Sequence, residues 1–307
     1  MSALTVSKEE EKRLKGQGFL NNRGTDEFSA RVITVNGKVT AAQHRCMAEA
    51  AEKFGNGNLT YMTRLSVEIQ GIPYEKIEEF QEFIAKEGLE TGGTGAKVRP
   101  VVSCKGTTCQ YGLLDSYAIS EEIFRRFYKG YRQVALPHKF KIAVGGCPNN
   151  CVKPNLNDVG IIGQRIPHFD SEACKGCKKC AIEAACPNKV AKVVDGKLHI
   201  DEELCRHCGR CVGKCPFHSI PDGTCGFKIY IGGRWGKKIS HGKALNRIFT
   251  SEEEALDVIE KAILLFKDQG LKGERFAETI ERIGFENAEK QLLEKNLLER
   301  KMEILSK

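Results

Sequence analysis

Long apolar stretches are missing from this 307-residue chain. The longest apolar run near its C-terminal end, residues 262–266, is five residues long, whereas a membrane-spanning helix needs about 20. The first residues contain no basic stretch followed by an apolar one, so no secretion signal is expected. We therefore expect a cytoplasmic protein without a membrane span, in which cysteine thiols stay reduced and serve metal binding or catalysis.

Runs of positive charge are also missing, although the formal net charge is +8. The basic residues are scattered, with small clusters such as residues 138–141. Basic and aromatic residues form no motif typical of nucleic-acid recognition, so we expect no nucleic-acid partner, and a DNA-binding regulator is the least favoured function. An anionic cofactor or substrate explains the excess positive charge more simply.

The chain alternates between strand and helix patterns on both sides of a segment that is dense in cysteine and poor in aliphatic residues. A hairpin is predicted inside that segment, over residues 194–200. In the strand predicted over residues 58–70, Leu65, Val67 and Ile69 are expected to share one face. The other predicted elements are strands over residues 28–35, 58–70 and 157–162, and helices over 40–54, from Pro73 onward, near 120–129 and over 251–266.

Cysteine is the abundant residue type that carries chemical information, because 12 of the 14 cysteines fall into three groups. Two groups share one pattern, in which three cysteines two residues apart precede a Cys-Pro pair. The remaining group consists of a Cys-x4-Cys pair and a Cys-x3-Cys pair. The groups are Cys104, Cys109, Cys147 and Cys151; Cys174, Cys177, Cys180 and Cys186; and Cys205, Cys208, Cys211 and Cys215.

The two similar groups resemble the cysteine pattern of bacterial-type ferredoxins, which hold two [4Fe–4S] clusters. In those proteins the fourth ligand of each cluster comes from the other group. A zinc site or a disulfide framework is the alternative, and zinc fits less well because it takes four ligands in tetrahedral pairs. The resemblance implies one cluster on Cys174, Cys177, Cys180 and Cys215, and another on Cys205, Cys208, Cys211 and Cys186.

The remaining group lies in a segment with a second resemblance. Residues 144–151 read Val-Gly-Gly-Cys-Pro-Asn-Asn-Cys, and residues 157–161 read Asn-Asp-Val-Gly-Ile. This segment resembles the sirohaem-binding segment of sulfite and nitrite reductases, and the short first spacing resembles that of the anaerobic sulfite reductases. The resemblance implies that Cys151 also ligates the sirohaem iron; an ordinary cluster without haem is the alternative. The implied ligands of this third [4Fe–4S] cluster are Cys104, Cys109, Cys147 and Cys151.

Several basic and amide residues extend this resemblance. A Lys-x-Lys segment that supplies two ammonium groups in the family corresponds to Lys139 and Lys141. Alternate residues of a strand point the same way, so we expect both ammonium groups to converge on one anion. The resemblance further implies contacts to the substrate or to the sirohaem carboxylates by Arg31 and Arg64, with Arg234 as another candidate, and contacts to the cofactor by Asn149 and Asn150.

These patterns together predict an α+β fold with three parts. A ferredoxin-like α/β half is expected over residues 1–95. A sirohaem-binding α/β half is expected over residues 96–165 and 226–307, with an inserted bacterial-type 2[4Fe–4S] ferredoxin domain over residues 166–225.

The resemblance, which covers about residues 15–290, implies a sirohaem, three [4Fe–4S] clusters and the six-electron reduction of sulfite to sulfide. Reduction of nitrite to ammonia, or a haem-free polyferredoxin that only transfers electrons, are the alternatives. The implied partners are electron-donor subunits or a ferredoxin. Because assimilatory members of the family carry two such repeats in one chain, the resemblance also implies a homo-oligomer or pairing with a paralogous subunit.

Overall fold

A computed structural model describes residues 6–307. Residues 1–5, which the sequence assigns to the first domain, lie outside the described residues. Residues 6–95, here called the first lobe, contain a four-stranded antiparallel sheet in the order β1-β2-β4-β3. The elements of this lobe are α1 (Lys8–Gly16), β1 (Phe19–Asn21), β2 (Glu27–Val32), α2 (Ala41–Phe54), β3 (Leu59–Tyr61), β4 (Val67–Pro73) and α3 (Ile77–Ala85).

The helices of the first lobe follow the predicted patterns, whereas one strand does not. Thr40 and Gln43 form a capping box at the start of α2, and α3 buries Ile77, Phe80 and Ile84. The single strand predicted over residues 58–70 is wrong, because the chain turns between β3 and β4. Leu65 has a φ of 60° in that turn and is only partly buried, so it does not extend the buried face of Val67 and Ile69.

The chain continues into a second lobe, residues 96–167 and 223–307, that is interrupted by an insert, residues 168–222. Before the insert, the second lobe contains β5 (Val102–Ser103), α4 (Ser116–Ile123) with a π-helical extension (Phe124–Lys129), β6 (Ile142–Gly145) and β7 (Val159–Pro167). The insert contains α5 (Ala181–Ala185), β8 (Ala191–Val194) and β9 (Lys197–Ile200). After it come β10 (Gly223–Ile231), β11 (Lys243–Phe249), α6 (Glu252–Gln269), α7 (Phe276–Ile283), α8 (Phe285–Leu293), α9 (Asn296–Glu299) and α10 (Lys301–Ser306).

The sheet of the second lobe positions both the cysteine loops and the insert. Its strand order is β11-β10-β7-β6-β5, in which β5, β6 and β7 are parallel and β10 is antiparallel to β7. Pro167 pairs with Gly223 at the ends of β7 and β10. The insert therefore leaves and re-enters the lobe at two adjacent strand ends.

Apolar side chains hold the second lobe together. Helix α6 begins at the Ser251 N-cap, whose hydroxyl accepts a hydrogen bond from the Glu254 amide, and it buries ten residues. The rings of Phe140, Phe266 and Phe276 form a cluster with centroids 5.2–5.8 Å apart. Within residues 6–307, no helix is both long enough and apolar enough to cross a membrane.

Candidate active site

The first cysteine group, which is the set of Cys104, Cys109, Cys147 and Cys151, lies where two parallel strands end. Cys104 follows β5, and Cys147 lies two residues beyond β6. Because parallel neighbours end at the same edge of a sheet, the two cysteine loops meet there, and the Gly146 amide donates a hydrogen bond to the Cys104 Sγ (3.1 Å). Burial raises the pKa of the Cys147 thiol, and the nearby thiols of Cys104, Cys151 and Cys109 raise it further. The structure thus brings the four predicted ligands together.

Two glycines allow the cysteine loops to approach each other closely. A Cβ atom on Gly146 would lie 2.8 Å from the Gly106 Cα and 3.5 Å from the Cys104 Sγ. A Cβ atom on Gly106 would likewise lie 2.8 Å from the Gly146 Cα. Any side chain at either position would therefore push apart the loops that carry the thiols.

The segment between Cys147 and Cys151 is held in a tight turn. Asn150 has a φ of 58°, and its Nδ2 donates to the Asn155 Oδ1 (2.9 Å). Its Oδ1 is buried and accepts no hydrogen bond from any described residue. Asn149 and Cys151 are exposed, so the Cys151 thiol is open to a ligand from outside this chain.

The two predicted lysines lie before β6 rather than within a strand. Phe140 forms a single bridge with Val98 and is fully buried, so Lys139 and Lys141 point away from the core and are half-buried. Neither ammonium group makes a hydrogen bond or an ion pair with another described residue. Charges that are withdrawn from water normally have partners, so two half-buried ammonium groups without one are chemically suited to an anionic ligand.

Other cations surround the two lysines. Burial, together with charge repulsion from Arg64, Arg275 and Lys139, lowers the pKa of Lys141 to about 8. The pKa of Lys139 is lowered by burial and then by Arg275 and Arg99. Such mutual effects require that these cations lie close together. We call Arg64, Arg99, Lys139, Lys141 and Arg275 the cationic pocket.

Arg99 and Arg275 were not predicted, and neither was the acidic residue that orients the pocket. Asp158 is fully buried. Its carboxylate accepts hydrogen bonds from the Lys141 amide (2.8 Å) and from the Arg275 Nη2 (3.2 Å). This one carboxylate fixes the backbone of Lys141 and the side chain of Arg275 together. The signal for Asp158 was its place in the Asn-Asp-Val-Gly-Ile segment; no local signal marked the two arginines.

The predicted arginines of the first lobe have different surroundings. The guanidinium of Arg64 donates to the backbone carbonyls of Pro100 (2.6 and 3.1 Å) and Ile142 (3.0 Å) and to the Asn157 Oδ1 (2.9 Å). Four of its five N–H groups are therefore used to join the two lobes, and burial lowers its pKa to about 10. Arg31 pairs with Glu68 (2.9 Å).

Arg31 also lies beside the cationic pocket, whereas Arg234 is engaged elsewhere. Burial, together with repulsion from Arg31, lowers the pKa of Arg99 to about 10. Arg234 pairs with Glu278 (2.8 Å). The buried Nε atoms of Arg31, Arg99 and Arg275 have no hydrogen-bond partner among residues 6–307. Since unsatisfied buried donors are costly, these atoms favour carboxylates or an oxyanion as ligands.

The cationic pocket and the first cysteine group lie at opposite ends of the same strands. Lys141 precedes β6 and Cys147 follows it. The four residues of β6 lie between them and span about 13 Å. The sequence predicts one joint site, but within one chain the structure forms two half-sites, with lysines at one sheet edge and thiols at the other.

The cysteines of the insert also fall into two sets. Burial, together with the nearby thiols of Cys208, Cys205 and Cys186, raises the pKa of Cys211 to about 11, so these four thiols lie near one another. Cys174, Cys180 and Cys215 pack in the small core of the insert, together with Cys186 and Cys211. Across residues 6–307, no three His, Cys, Asp or Glu side chains converge on a single metal-ion position.

The Cys205–Cys211 segment faces the first cysteine group. The Arg165 amide of β7 donates to the His207 carbonyl (2.7 Å), and the Arg210 guanidinium lies 4.9 Å from the centre of the Tyr111 ring. A cavity of about 490 Å³ between the insert and the second lobe is lined by both Cys147 and Cys208. The first cysteine group and the insert thus share one boundary.

Comparison with known families covers most of the chain. Residues 94–301 match the family described as the nitrite and sulphite reductase 4Fe-4S domain. Residues 21–87 match the nitrite/sulfite reductase ferredoxin-like half domain. A solved structure of dissimilatory sulfite reductase I is similar, with a TM-score of 0.69 and 23% identity over 87% of this chain and 69% of that one. The predicted mixed α/β fold is confirmed by these matches.

Individual relatives differ in how much of their length this chain spans. The coenzyme F420-dependent sulfite reductase of Methanocaldococcus jannaschii is 29% identical over 240 residues, which are 77% of this chain but only 37% of that protein. The uncharacterized protein MJ0551 of the same organism is 31% identical over 88% of this chain and 92% of its own length. One subunit of the anaerobic sulfite reductase of Salmonella typhimurium is 29% identical over 43% of this chain and 42% of its own.

Proposed function

The chain belongs to the nitrite and sulphite reductase family, and we propose that it reduces sulfite to sulfide with six electrons. The observation that carries this proposal is the cationic pocket, in which two half-buried ammonium groups, those of Lys139 and Lys141, have no partner among the described residues. Sulfite is a small dianion that fits such a pocket. Sulfite reductases among the relatives of the chain support the same substrate.

The residues present also fit the proposed cofactors. Sirohaem, when bound, supplies a redox-active iron with a coordination position open to the substrate. We assign the iron ligand to the exposed Cys151 thiol, and a [4Fe–4S] cluster to Cys151 with Cys104, Cys109 and Cys147. Asn149 and Asn150 lie in the same loop, and the free Asn150 Oδ1 can accept a hydrogen bond from the cofactor. The basic side chains of Arg31 and Arg99 suit the sirohaem carboxylates.

Lys139 and Lys141 have two tasks in this proposal. Their charges bind the anion and balance the negative charge that moves onto oxygen as each S–O bond breaks. Removing the oxygens as water also consumes protons, and a lysine with a pKa of about 8 can donate a proton near neutral pH. Arg275 and Asp158 hold Lys141 in place through its backbone amide.

The separation of the two half-sites implies that two chains form each site. We propose that the cationic pocket of one copy faces the Cys151 loop of a second copy, since Lys141 and Cys147 lie at opposite ends of β6 within one chain. In a twofold dimer the contact is reciprocal, so two equivalent sites form. A paralogous subunit in place of the second copy is the alternative.

We further propose that the insert is a 2[4Fe–4S] ferredoxin domain that feeds electrons to the site. The grouping of Cys186 with Cys205, Cys208 and Cys211 supports the crossed ligand sets. The contact between Arg210 and Tyr111 supports transfer from this set toward the first cysteine group. The total is then three clusters and one sirohaem per chain.

Turnover of single variants tests the substrate site. Lys139→Ala and Lys141→Ala should each lower kcat/KM for sulfite about 10²-fold or more, with an unchanged iron content. Lys237→Ala, at an exposed lysine outside the pocket, is the matched control. Nitrite as a competing substrate shows which anion is preferred. Unaltered sulfite turnover in both pocket variants would contradict the proposal.

Complementation between two inactive variants tests the shared site. A dimer of one Lys141→Ala chain and one Cys151→Ser chain carries both defects in one site and none in the other. Refolding or coexpressing the two variants in equal amounts should therefore restore about a quarter of wild-type turnover. If the mixture stays inactive although the two variants form mixed dimers, each site lies within one chain or requires a paralogous subunit.

A further inference from the structure

The first cysteine segment of the insert is surrounded by exposed positive charge. Lys175, Lys178 and Lys179 alternate with Cys174, Cys177 and Cys180, and all three lysines are exposed. None of them forms an ion pair or a hydrogen bond with another described residue. Solvated lysines are common on surfaces, but three around one cysteine group concentrate positive charge at one place.

The insert also carries an exposed aromatic residue. Phe217 is 47% exposed and lies in the loop that follows Cys215. This loop is fixed beside the start of the insert, because the Asp170 amide donates to the Ser219 carbonyl (2.8 Å). Exposed apolar side chains together with unpaired charges are typical of a transient protein–protein interface.

The opposite end of the insert is occupied by the second lobe. Arg165 and Tyr111 of that lobe contact His207 and Arg210. The acidic residues Glu202 and Glu203 lie at the same end, where they line a cavity together with Lys228 of β10. Glu202 and Glu203 share that cavity with the basic residues Arg206 and Lys228, whereas Lys175, Lys178 and Lys179 have no partner among the described residues.

We propose that Lys175, Lys178, Lys179 and Phe217 form the docking surface for an acidic electron-carrier protein of the ferredoxin class. This proposal rests on the proposed function. In the transfer step the carrier loses one electron, and the oxidised cluster held by Cys174, Cys177, Cys180 and Cys215 gains it. Charge complementarity identifies the partner, because an acidic face is attracted to three unpaired ammonium groups and a basic one is repelled.

Stopped-flow reduction of the anaerobically purified holoprotein tests the docking surface, with a reduced acidic [2Fe–2S] ferredoxin as the probe. The triple variant Lys175→Glu, Lys178→Glu, Lys179→Glu should slow the second-order rate at least 10-fold at low salt. The wild-type rate should fall steeply with added salt. The control variant Lys8→Glu, Lys12→Glu, Lys237→Glu has the same change in net charge at exposed positions outside the insert, and should change the rate less than twofold.

Two further measurements separate the docking proposal from the function and from misfolding. Reduced methyl viologen should drive sulfite reduction equally in the wild type and in the docking variant, because this small donor needs no protein interface. Absence of viologen-driven turnover in the wild type would sink the proposed function, whatever the docking result.

The matched glutamine variant, Lys175→Gln, Lys178→Gln, Lys179→Gln, removes the charge without reversing it. It should retain the iron content and show a smaller slowing than the glutamate variant. Docking at this surface is overturned if the glutamate variant is reduced as fast as the wild type, or if the control variant slows to the same extent.

Discussion

The second lobe and the insert are held together in different ways. The lobe has a large core of aliphatic and aromatic side chains, with Phe140, Phe266 and Phe276 fully buried. The core of the insert contains five buried residues, one of which is Cys174, with further cysteines packed around it. So small an apolar core does not stabilise a domain without help. The lobe is thus stabilised by apolar burial, and the insert depends on what its thiols bind.

Iron removal should have the largest effect on the difference in stability between the second lobe and the insert. Anaerobic chelation should unfold residues 168–222, because it removes the clusters proposed on their eight cysteines, and leave the lobes folded. Hydrogen exchange of insert amides should rise about 100-fold or more, while amides of β7 and α6 keep their protection. Equal loss of protection in α6 and in the insert would contradict the contrast.

A cavity in the aromatic cluster should affect only the lobe. Phe266→Ala is expected to lower the free energy of unfolding by about 3–5 kcal/mol, since a fully buried ring is lost. Denaturant unfolding of the iron-loaded protein measures this change, and the iron content should stay normal. Met302→Ala, at a residue that is 80% exposed, should change the free energy by no more than about 0.5 kcal/mol.

Gly146→Ala changes the part of the second lobe that carries the first cysteine group. The new Cβ atom would lie 2.8 Å from the Gly106 Cα, and such overpacking costs about 1–3 kcal/mol. Because the strain falls on the loops of Cys104 and Cys147, we expect loss of the cluster proposed on the first cysteine group. The two clusters proposed in the insert should be retained. Iron analysis measures this, with Gly16→Ala as the control, since nothing lies within 4 Å of a Cβ atom there.

The smallest expected effect is a shift of a pH profile. The pKa of Lys141 is lowered to about 8, so its ammonium group is charged below that pH and neutral above it. The kcat/KM for sulfite should therefore fall as the pH rises through about 8. In Lys141→Arg the new guanidinium stays charged at higher pH, so kcat/KM should begin to fall at a higher pH. Ionisation of sulfite itself affects the wild type and the Lys141→Arg variant equally. Identical pH profiles of these two proteins would therefore exclude Lys141 as the titrating group.

Local patterns could be predicted from the sequence, and long-range convergence could not. The cysteine groups, the Ser251 cap and the buried face of α3 each follow from residues close together in the chain. Arg99 and Arg275 meet Lys139 only because the sheet and α7 place them there. The turn at Leu65 was missed because no glycine or proline marks it.

The sequence contains one indication that the two half-sites are separate, although the spacing of the cysteines does not show it. Residues 142–145 form a short apolar run between Lys141 and Cys147. If that run is a strand, the lysine and the cysteine lie at its opposite ends. In the family that the sequence resembles, both residue types contribute to one site, which is why the sequence predicts a joint site here.

The most direct test of the account is the ultraviolet–visible spectrum of anaerobically purified protein, with iron counting, before and after sulfite is added. Three clusters and one sirohaem predict about thirteen irons per chain and haem bands that shift when sulfite binds. About twelve irons and no haem bands, in protein produced with ample sirohaem, would contradict the account and leave a protein that only transfers electrons.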